Sequence, residues 1–406
     1  MRCGLLGKTL GHSYSPQIHA QLGEYRYELF EKQPEALENF LRHGDFDGLN
    51  VTIPYKKAVL PYCAVLSDAV KAIGSANTLV RQPDGTLFAD NTDAFGFSCI
   101  ADECGVDISG KKALVFGSGG ASVTAQYVLK TRGAREVLVI SRSGENNYEN
   151  LEKNADAEIL VNTTPLGMYP NNGASPVDLR RFPRCAAVLD VVYNPARTAL
   201  LLQAEELNIP HAGGLLMLVA QAKRSSELFT GCAIADARIG EIYRTLAVQM
   251  QNIVLVGMPG CGKSSVGTQL AEKLNRPFVD ADAEIEKAAG MPIPEFFKLY
   301  GEPAFRDLES RVLAELGKRS GAVIATGGGA VLREENYAAL HQNGAIVWLT
   351  RDLARLPIDG RPVSQSTSLD ALYAARKARY ERFADHTIDN NGALDATVRA
   401  ILEVLR

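Results

Sequence analysis

Residues 257–264, GMPGCGKS, fit the pattern G-x-x-x-x-G-K-[ST] at every fixed position, between an apolar run, IVLV, and a helical one, SSVGTQLAEKL. Glycines in such a loop let backbone N–H groups surround phosphate oxygens, while the lysine reaches the β/γ oxygens and the hydroxyl ligates Mg²⁺. Gly257, Gly260, Cys261, Gly262, Lys263, Ser264 and Ser265 are therefore expected to bind a nucleoside triphosphate, with Ser264 on the metal. Downstream, FVDADAEIE sets Asp280 and Asp282 two residues apart. In extended backbone both side chains point the same way. One carboxylate can then reach the Mg²⁺ shell while the other orients or deprotonates an acceptor hydroxyl. An N-cap role for Asp282 and a surface ion pair of Arg306 with Glu309 are the plainer alternatives.

A second glycine turn, VFGSGGAS, places Gly117, Gly119 and Gly120 between a strand-like run and a helical one. Close backbone approach and a helix N-terminus suit a dinucleotide pyrophosphate. The next strand-like run ends in SRS at 141–143, where an acid would select NAD; Arg142 suits the 2′-phosphate of NADP, or is a solvated loop cation. Three polar clusters precede this turn: GHSYSPQIH (11–19), NVTIPYK (50–56) and GSANTL…ADNTD (74–93). Asn50, Thr52, Lys56, Asn77, Asn91 and Asp93 offer donors and acceptors for a polyhydroxylated acid, and a lysine–aspartate pair can move a proton as a hydride transfers. Singly, each asparagine or serine reads as a turn or cap residue.

Short apolar runs (ALVF, EVLVI, AAVLDVVY, IVLV, AIVWL) alternate with helical patterns, which predicts an α/β protein with largely parallel sheets. The expected organisation is a substrate block at 1–98, completed by helices within 212–249, then a Rossmann-like block at 99–211 and a phosphate-loop domain at 251–406. Residues 213–231 read as a helix that could return to the first block, and Val266, Leu270 and Leu274 give the helix after the phosphate loop an apolar face. A length of 406 residues leaves room for this division.

A net charge of −4, with no basic excess in either part, argues against a general nucleic-acid binder. Small anionic substrates then need local arginines and helix N-termini. Seven scattered cysteines without a C-x-x-C read as reduced thiols, and no apolar run is long enough for a signal peptide or a bilayer span. A cytoplasmic protein is expected, with no nucleic-acid or membrane partner and with a homodimer as the candidate assembly.

On the motifs GHSYSP, NVTIPYK, NTD, NTTPLGM and VVYNP, residues 1–249 resemble shikimate dehydrogenase, which reduces 3-dehydroshikimate with NADPH. The resemblance implies Ser13 and Ser15 for the substrate carboxylate, Lys56 as the catalytic lysine with Asp93 as its partner, and Asn50, Thr52, Asn77, Tyr193 and Gln221 as further substrate ligands. It implies an NADP site of Gly117, Ser118, Gly119, Gly120, Ala121, Ser141, Arg142, Ser143, Thr163 and Met217. The span from Arg142 to NTTP is short for the family, implying a trimmed cofactor block.

Residues 252–406 resemble shikimate kinase. That match implies Asp280 in the Mg²⁺ shell, Asp282 as base on the shikimate hydroxyls, and Arg306, Gly328 and Gly329 around the acid. It also implies Arg376 on the carboxylate and Arg361 of GRPV as a lid arginine over the transferring phosphate. One family makes shikimate and the other consumes it. The expected function is a bifunctional enzyme of aromatic amino-acid biosynthesis using NADP(H), ATP and Mg²⁺ on small-molecule substrates. Quinate as the preferred substrate of the first part, and a degenerate module or a kinase for another acceptor as the second, are the alternatives.

Overall fold

The structure, a computed structural model, describes residues 1–11, 13–356 and 368–405. It divides into two compact units: Met1–Met168, Ala174–Tyr193 and Leu200–Thr245 form one, and Tyr169–Gly173, Asn194–Ala199 and Leu246–Arg406 the other.

The first unit contains two sheets. Strands β1 (Arg2–Gly7), β2 (Arg26–Glu31), β3 (Gly48–Val51), β4 (Val65–Leu66), β5 (Thr78–Arg81) and β6 (Leu87–Asp90) are ordered β2-β1-β3-β5-β6-β4. This sheet is mixed, because β5 runs antiparallel to both β3 and β6. The β5–β6 hairpin turns through Gln-Pro-Asp-Gly at 82–85, with Gly85 at φ +86°. A proline followed by Asp-Gly is a strong turn signal between apolar runs.

The second sheet is all parallel: β7 (Lys112–Phe116), β8 (Glu136–Ile140), β9 (Ile159–Asn162), β10 (Ala187–Asp190) and β11 (His211–Ala212), ordered β11-β10-β9-β7-β8. Successive residues of β7 serve opposite faces, Ala113 and Val115 in one apolar cluster, Leu114 and Phe116 in the other. A sheet covered on both faces reads as a continuous apolar run, which is why ALVF is recognisable. The helix Gly120–Thr131 connects β7 to β8, whereas β8 reaches β9 through only a 3₁₀ turn at Leu151–Asn154. The short span noted in the sequence is thus a crossover without an α-helix.

The helix Asp93–Glu103 crosses the block boundary expected at residue 98. Asp93 begins it beside the first sheet's polar clusters, while Phe97, Ile100 and Ala101 pack into the core of the second sheet. One helix therefore ties both blocks to the same site. The helix Gly214–Thr230 packs along it: a Cβ on Gly96 would meet the Met217 carbonyl oxygen at 2.6 Å, so glycine sets how closely the helices approach.

In the second unit, β12 (Asn252–Val256), β13 (Phe278–Asp280), β14 (Val323–Ala325), β15 (Gly344–Thr350) and β16 (His386–Asp389) form a parallel sheet ordered β13-β14-β12-β15-β16. Val266 and Leu270 on the helix Lys263–Leu274 are fully buried, with Leu274 packed alongside. The long helical segment Ile293–Gly317 is broken at Gly301, which adopts φ +77° and ψ 175°, two residues before Pro303. Proline cannot occupy a helix interior without disrupting it, so the break frees the backbone before the second piece begins. Candidate ligand groups recur just beyond strand carboxyl ends, where open α/β sheets bind ligands. No helix among the described residues is long and apolar enough to cross a membrane.

Candidate active sites

The first site centres on Lys56, which follows β3, and Asp93, which opens a helix. Lys56 Nζ lies 2.6 Å from Asp93 Oδ2. A carboxylate in the first turn of a helix meets the positive end of the helix dipole. The other oxygen, Asp93 Oδ1, accepts from Asn77 Nδ2 at 3.0 Å, and the same amide donates to Gln221 Oε1 at 2.8 Å. The Asn77 amide is orientated unambiguously, because its Oδ1 accepts from the Thr92 backbone N–H at 2.7 Å, a group that can only donate. Thus Lys56, Asn77, Asp93 and Gln221, drawn from four segments, meet in one cluster.

Behind this cluster lies a buried network centred on Ser225. Its Oγ lies 2.7 Å from Asn50 Nδ2, 2.8 Å from Thr78 Oγ1, 2.9 Å from Thr92 Oγ1 and 3.0 Å from the Gln221 carbonyl oxygen. Asn50 is 8% exposed; its Oδ1 accepts from the Tyr27 hydroxyl at 2.8 Å while Nδ2 donates to Ser225. Both ends of its amide therefore face protein groups, so Asn50 braces the cluster from behind. Ser15 N–H donates to Ser13 Oγ at 3.2 Å, and both serines are half-buried. The Tyr14 ring meets Tyr193 edge-on at 6.1 Å, and burial raises the pKa of both phenols. Thr52 follows β3, its N–H donating to the Leu6 carbonyl.

Removing the Ser225 hydroxyl leaves Asn50 Nδ2 only longer contacts, 3.3 Å to Thr78 Oγ1 and 3.4 Å to the Asn77 carbonyl. Ser225→Ala should cost about 1–3 kcal/mol of first-unit stability, the usual effect of stranding a buried donor. Turnover that depends on Lys56 should fall in kcat/KM, because Ser225 braces Asn50, Thr92 and the Gln221 backbone behind the cluster. Thermal melts and steady-state kinetics check this; phosphoryl transfer by the second unit should be unchanged.

At the dinucleotide turn, Gly117 has φ +106°, and a Cβ there would meet Thr163 Oγ1 at 2.9 Å. Thr163 is fixed by its N–H and its hydroxyl, both donating to the Phe116 carbonyl, at 2.9 and 2.7 Å. Ser118, Gly119 and Gly120 are exposed at the start of the helix, with Ala121 half-buried behind them, and nothing crowds Gly119 or Gly120. This open helix N-terminus fits a pyrophosphate. Arg142 and Ser143 are exposed beyond β8, while Ser141 N–H donates to the Asn146 carbonyl at 3.2 Å. A solvent-facing guanidinium there fits a 2′-phosphate. Met217 lies half-buried on the helix that carries Gln221.

The second site is a cavity of about 700 Å³ in the second unit. Its floor is the phosphate loop. Gly257, Gly260 and Gly262 all have positive φ, and a Cβ at Gly262 would meet Asn390 Nδ2 at 2.6 Å. Asn390 in turn donates to the Cys261 carbonyl at 2.6 Å and so fastens the loop from β16. Lys263 Nζ donates to the Gly257 and Met258 carbonyls at 2.9 and 3.0 Å. Ser264 Oγ lies 2.8 Å from Asp280 Oδ2, and Ser265 is exposed beside them. This pair of hard oxygen donors fits Mg²⁺, which takes one or two protein ligands and fills its shell with water and substrate phosphates.

Three expectations change here. The backbone at 280–282 is not extended: β13 ends at Asp280 and a helix starts at Ala281. Asp280 is the residue that caps this helix, accepting from Asp282 N–H at 3.0 Å, so the cap role weighed for Asp282 belongs to its neighbour. Both still line one cavity. The Arg306–Glu309 pair is buried, not superficial, at 2.6 Å with side-chain exposures of 9% and 2%. Burial pushes the Glu309 carboxyl above the usual range, and Asp282 adds to this while Arg306 opposes it.

Arg376 Nη1 donates to the Gly328 carbonyl at 3.0 Å, and the Tyr380 hydroxyl donates to the same oxygen at 2.5 Å. A Cβ on Gly329 would strike the Arg306 guanidinium, so glycine lets that side chain lie across the loop. Asp282, Arg306, Gly328, Gly329 and Arg376 thus share the cavity with Lys263. Arg361 lies outside the described residues. Sequence reasoning did not single out Ser225, Thr78, Thr92, Asn390 or Arg351; Thr78 and Thr92 lie within the quoted polar clusters and Asn390 and Arg351 stand directly beyond strand ends, whereas Ser225 carried no positional signal.

Comparisons with known proteins find two families along the chain. Residues 5–79 match the family model "Shikimate dehydrogenase substrate binding domain", and residues 259–406 match "Shikimate kinase". A "Shikimate dehydrogenase (NADP(+))" of Clostridium perfringens is 33% identical over 264 residues, covering 60% of this chain and 97% of the relative. The crystal structure of a chorismate mutase/shikimate 5-dehydrogenase fusion protein from Clostridium acetobutylicum aligns with TM-score 0.57 and 33% identity, over 60% of this chain and 96% of that one. Shikimate 5-dehydrogenase from Thermus thermophilus, solved with NADP(H) and shikimate, aligns with TM-score 0.55 and 32% identity, covering 60% and 99%. The chain belongs to the shikimate dehydrogenase family and carries, over residues 259–406, a shikimate kinase domain.

Proposed function

We propose that this chain performs two successive reactions on one ring acid: NADPH-dependent reduction of 3-dehydroshikimate to shikimate, then ATP-dependent phosphorylation of the new hydroxyl to shikimate 3-phosphate. The observation that carries the reading is the pairing, in each unit, of a phosphate-holding glycine turn with a separate polar cluster suited to a hydroxylated acid. When bound, NADPH supplies the hydride and Mg²⁺ neutralises phosphate charge.

In the first site Lys56 gives a proton to the carbonyl oxygen as the carbon is reduced, and Asp93, 2.6 Å away, holds the ammonium in position. Asn77 and Gln221 bind ring hydroxyls, with Ser13 and Ser15 on the carboxylate. In the second site Asp282 takes the proton of the attacking hydroxyl. Lys263 stabilises charge on the transferring group, and Arg306 and Arg376 fix the carboxylate and ring. Seven free thiols suit the cytoplasm, which is part of the same proposal.

A coupled assay from 3-dehydroshikimate, NADPH, ATP and Mg²⁺ tests the reading, with shikimate 3-phosphate as the expected product. Accumulation of shikimate with ATP untouched would remove the kinase half. ATP hydrolysis that ignores shikimate would make that half an NTPase, and faster NADP⁺ reduction with quinate would reassign the first site.

A further inference from the structure

Arg351 stands directly after β15, the strand that pairs with β12 in the register Val256↔Trp348. The phosphate loop leaves β12 at the same edge, which brings Arg351 to the loop's side. Its Nη1 lies 3.9 Å from where a Cβ on Gly262 would stand, and it lines the cavity with Gly260, Gly262, Lys263 and Ser264.

The other cavity arginines have protein partners. Arg306 is paired with Glu309 and Glu302, and Arg376 donates to the Gly328 carbonyl. Nearby Asp352 is engaged by Arg355 and Asn391. Arg351 has no ion pair among the described residues, and its Nε is buried without a hydrogen-bond acceptor. A guanidinium beside a helix N-terminus, with a buried donor unmatched, is a complementary surface for an anion. Gly262 caps the helix whose first turn holds Lys263 and Ser264, the turn that the kinase reading assigns to the nucleotide's phosphates.

Resting on the kinase reading above, we propose that Arg351 is a second cationic contact to the nucleotide's phosphates, working beside Lys263 from the opposite wall of the loop. It contributes to nucleotide affinity and leaves acceptor binding to Arg306 and Arg376.

The test is calorimetric titration of the full chain with Mg²⁺ and ADP, alongside adenosine titrated by ligand-observed NMR. Arg351→Ala and Arg351→Met, which keeps the aliphatic stem, should weaken ADP about tenfold to a hundredfold, the range for losing a charged hydrogen bond. Adenosine affinity and the KM for shikimate should stay unchanged, and Arg351→Lys should recover part of the loss. Dehydrogenase turnover and the thermal transition of the second unit control for folding. Unaltered ADP binding in both variants would overturn the proposal, as would equal weakening of ADP and adenosine. Wild-type chain that fails to bind ADP would overturn the kinase reading itself.

Discussion

Lys56→Ala should reduce 3-dehydroshikimate turnover by about 10² to 10⁴, the range for removing a positioned general acid, equivalent to roughly 3–5 kcal/mol in the barrier. The loss should fall on kcat more than on KM, because Asn77 remains tied to both Asp93 and Gln221. Asp93 then keeps a helix N-terminus and one amide but loses its cation 2.6 Å away. Exogenous primary amines should restore a fraction of the rate if the missing group is a proton donor. Shikimate phosphorylation should be unaffected, since Lys56 and Lys263 lie in separate units.

Lys263→Ala carries the complementary expectation. Removing the loop lysine takes away the positive charge that offsets the negative charge on the transferring phosphoryl group in the transition state, and phosphoryl transfer should drop by about 10² to 10³ or more. The residue is 8% exposed and its ammonium is bonded to two loop carbonyls, so its loss also frees the Gly257 and Met258 oxygens. Lys263→Arg should not rescue, because a planar fork cannot replace a compact ammonium in that pocket. Reduction of 3-dehydroshikimate should continue at the wild-type rate. Steady-state assays of both activities on each purified variant check the pair.

The phosphate loop was legible because its chemistry is written in consecutive residues, and glycine at 257, 260 and 262 serves the positive φ that the loop adopts. Lys56 and Asp93 were legible as motif members, and the distance between them follows from one helix starting at the sheet's polar edge. The Ser225 network was not legible. Its side-chain partners lie 133 to 175 residues away in sequence, and a serine in a helical pattern has no spacing that announces them. Arg306 and Glu309 were paired correctly by their three-residue interval, but burial depends on the Gly327–Gly329 loop folding over them, which local pattern cannot show. The antiparallel β5–β6 hairpin had a visible Pro-Asp-Gly turn, yet the alternation of strand and helix elsewhere masked it. The extended backbone expected at 280–282 fails for a similar reason: one residue decides whether a strand continues or a helix begins.

The most direct measurement is the stoichiometry of labelled shikimate bound at equilibrium to the intact chain with NADP⁺, Mg²⁺ and ADP present. Two equivalents per chain are expected, falling to one on omission of Mg²⁺ and ADP if their binding orders the acceptor cavity, and to one in an Asp282→Ala, Arg306→Ala variant. A single equivalent in the wild type, indifferent to those substitutions, would contradict the claim that two pockets of this chain hold the same acid.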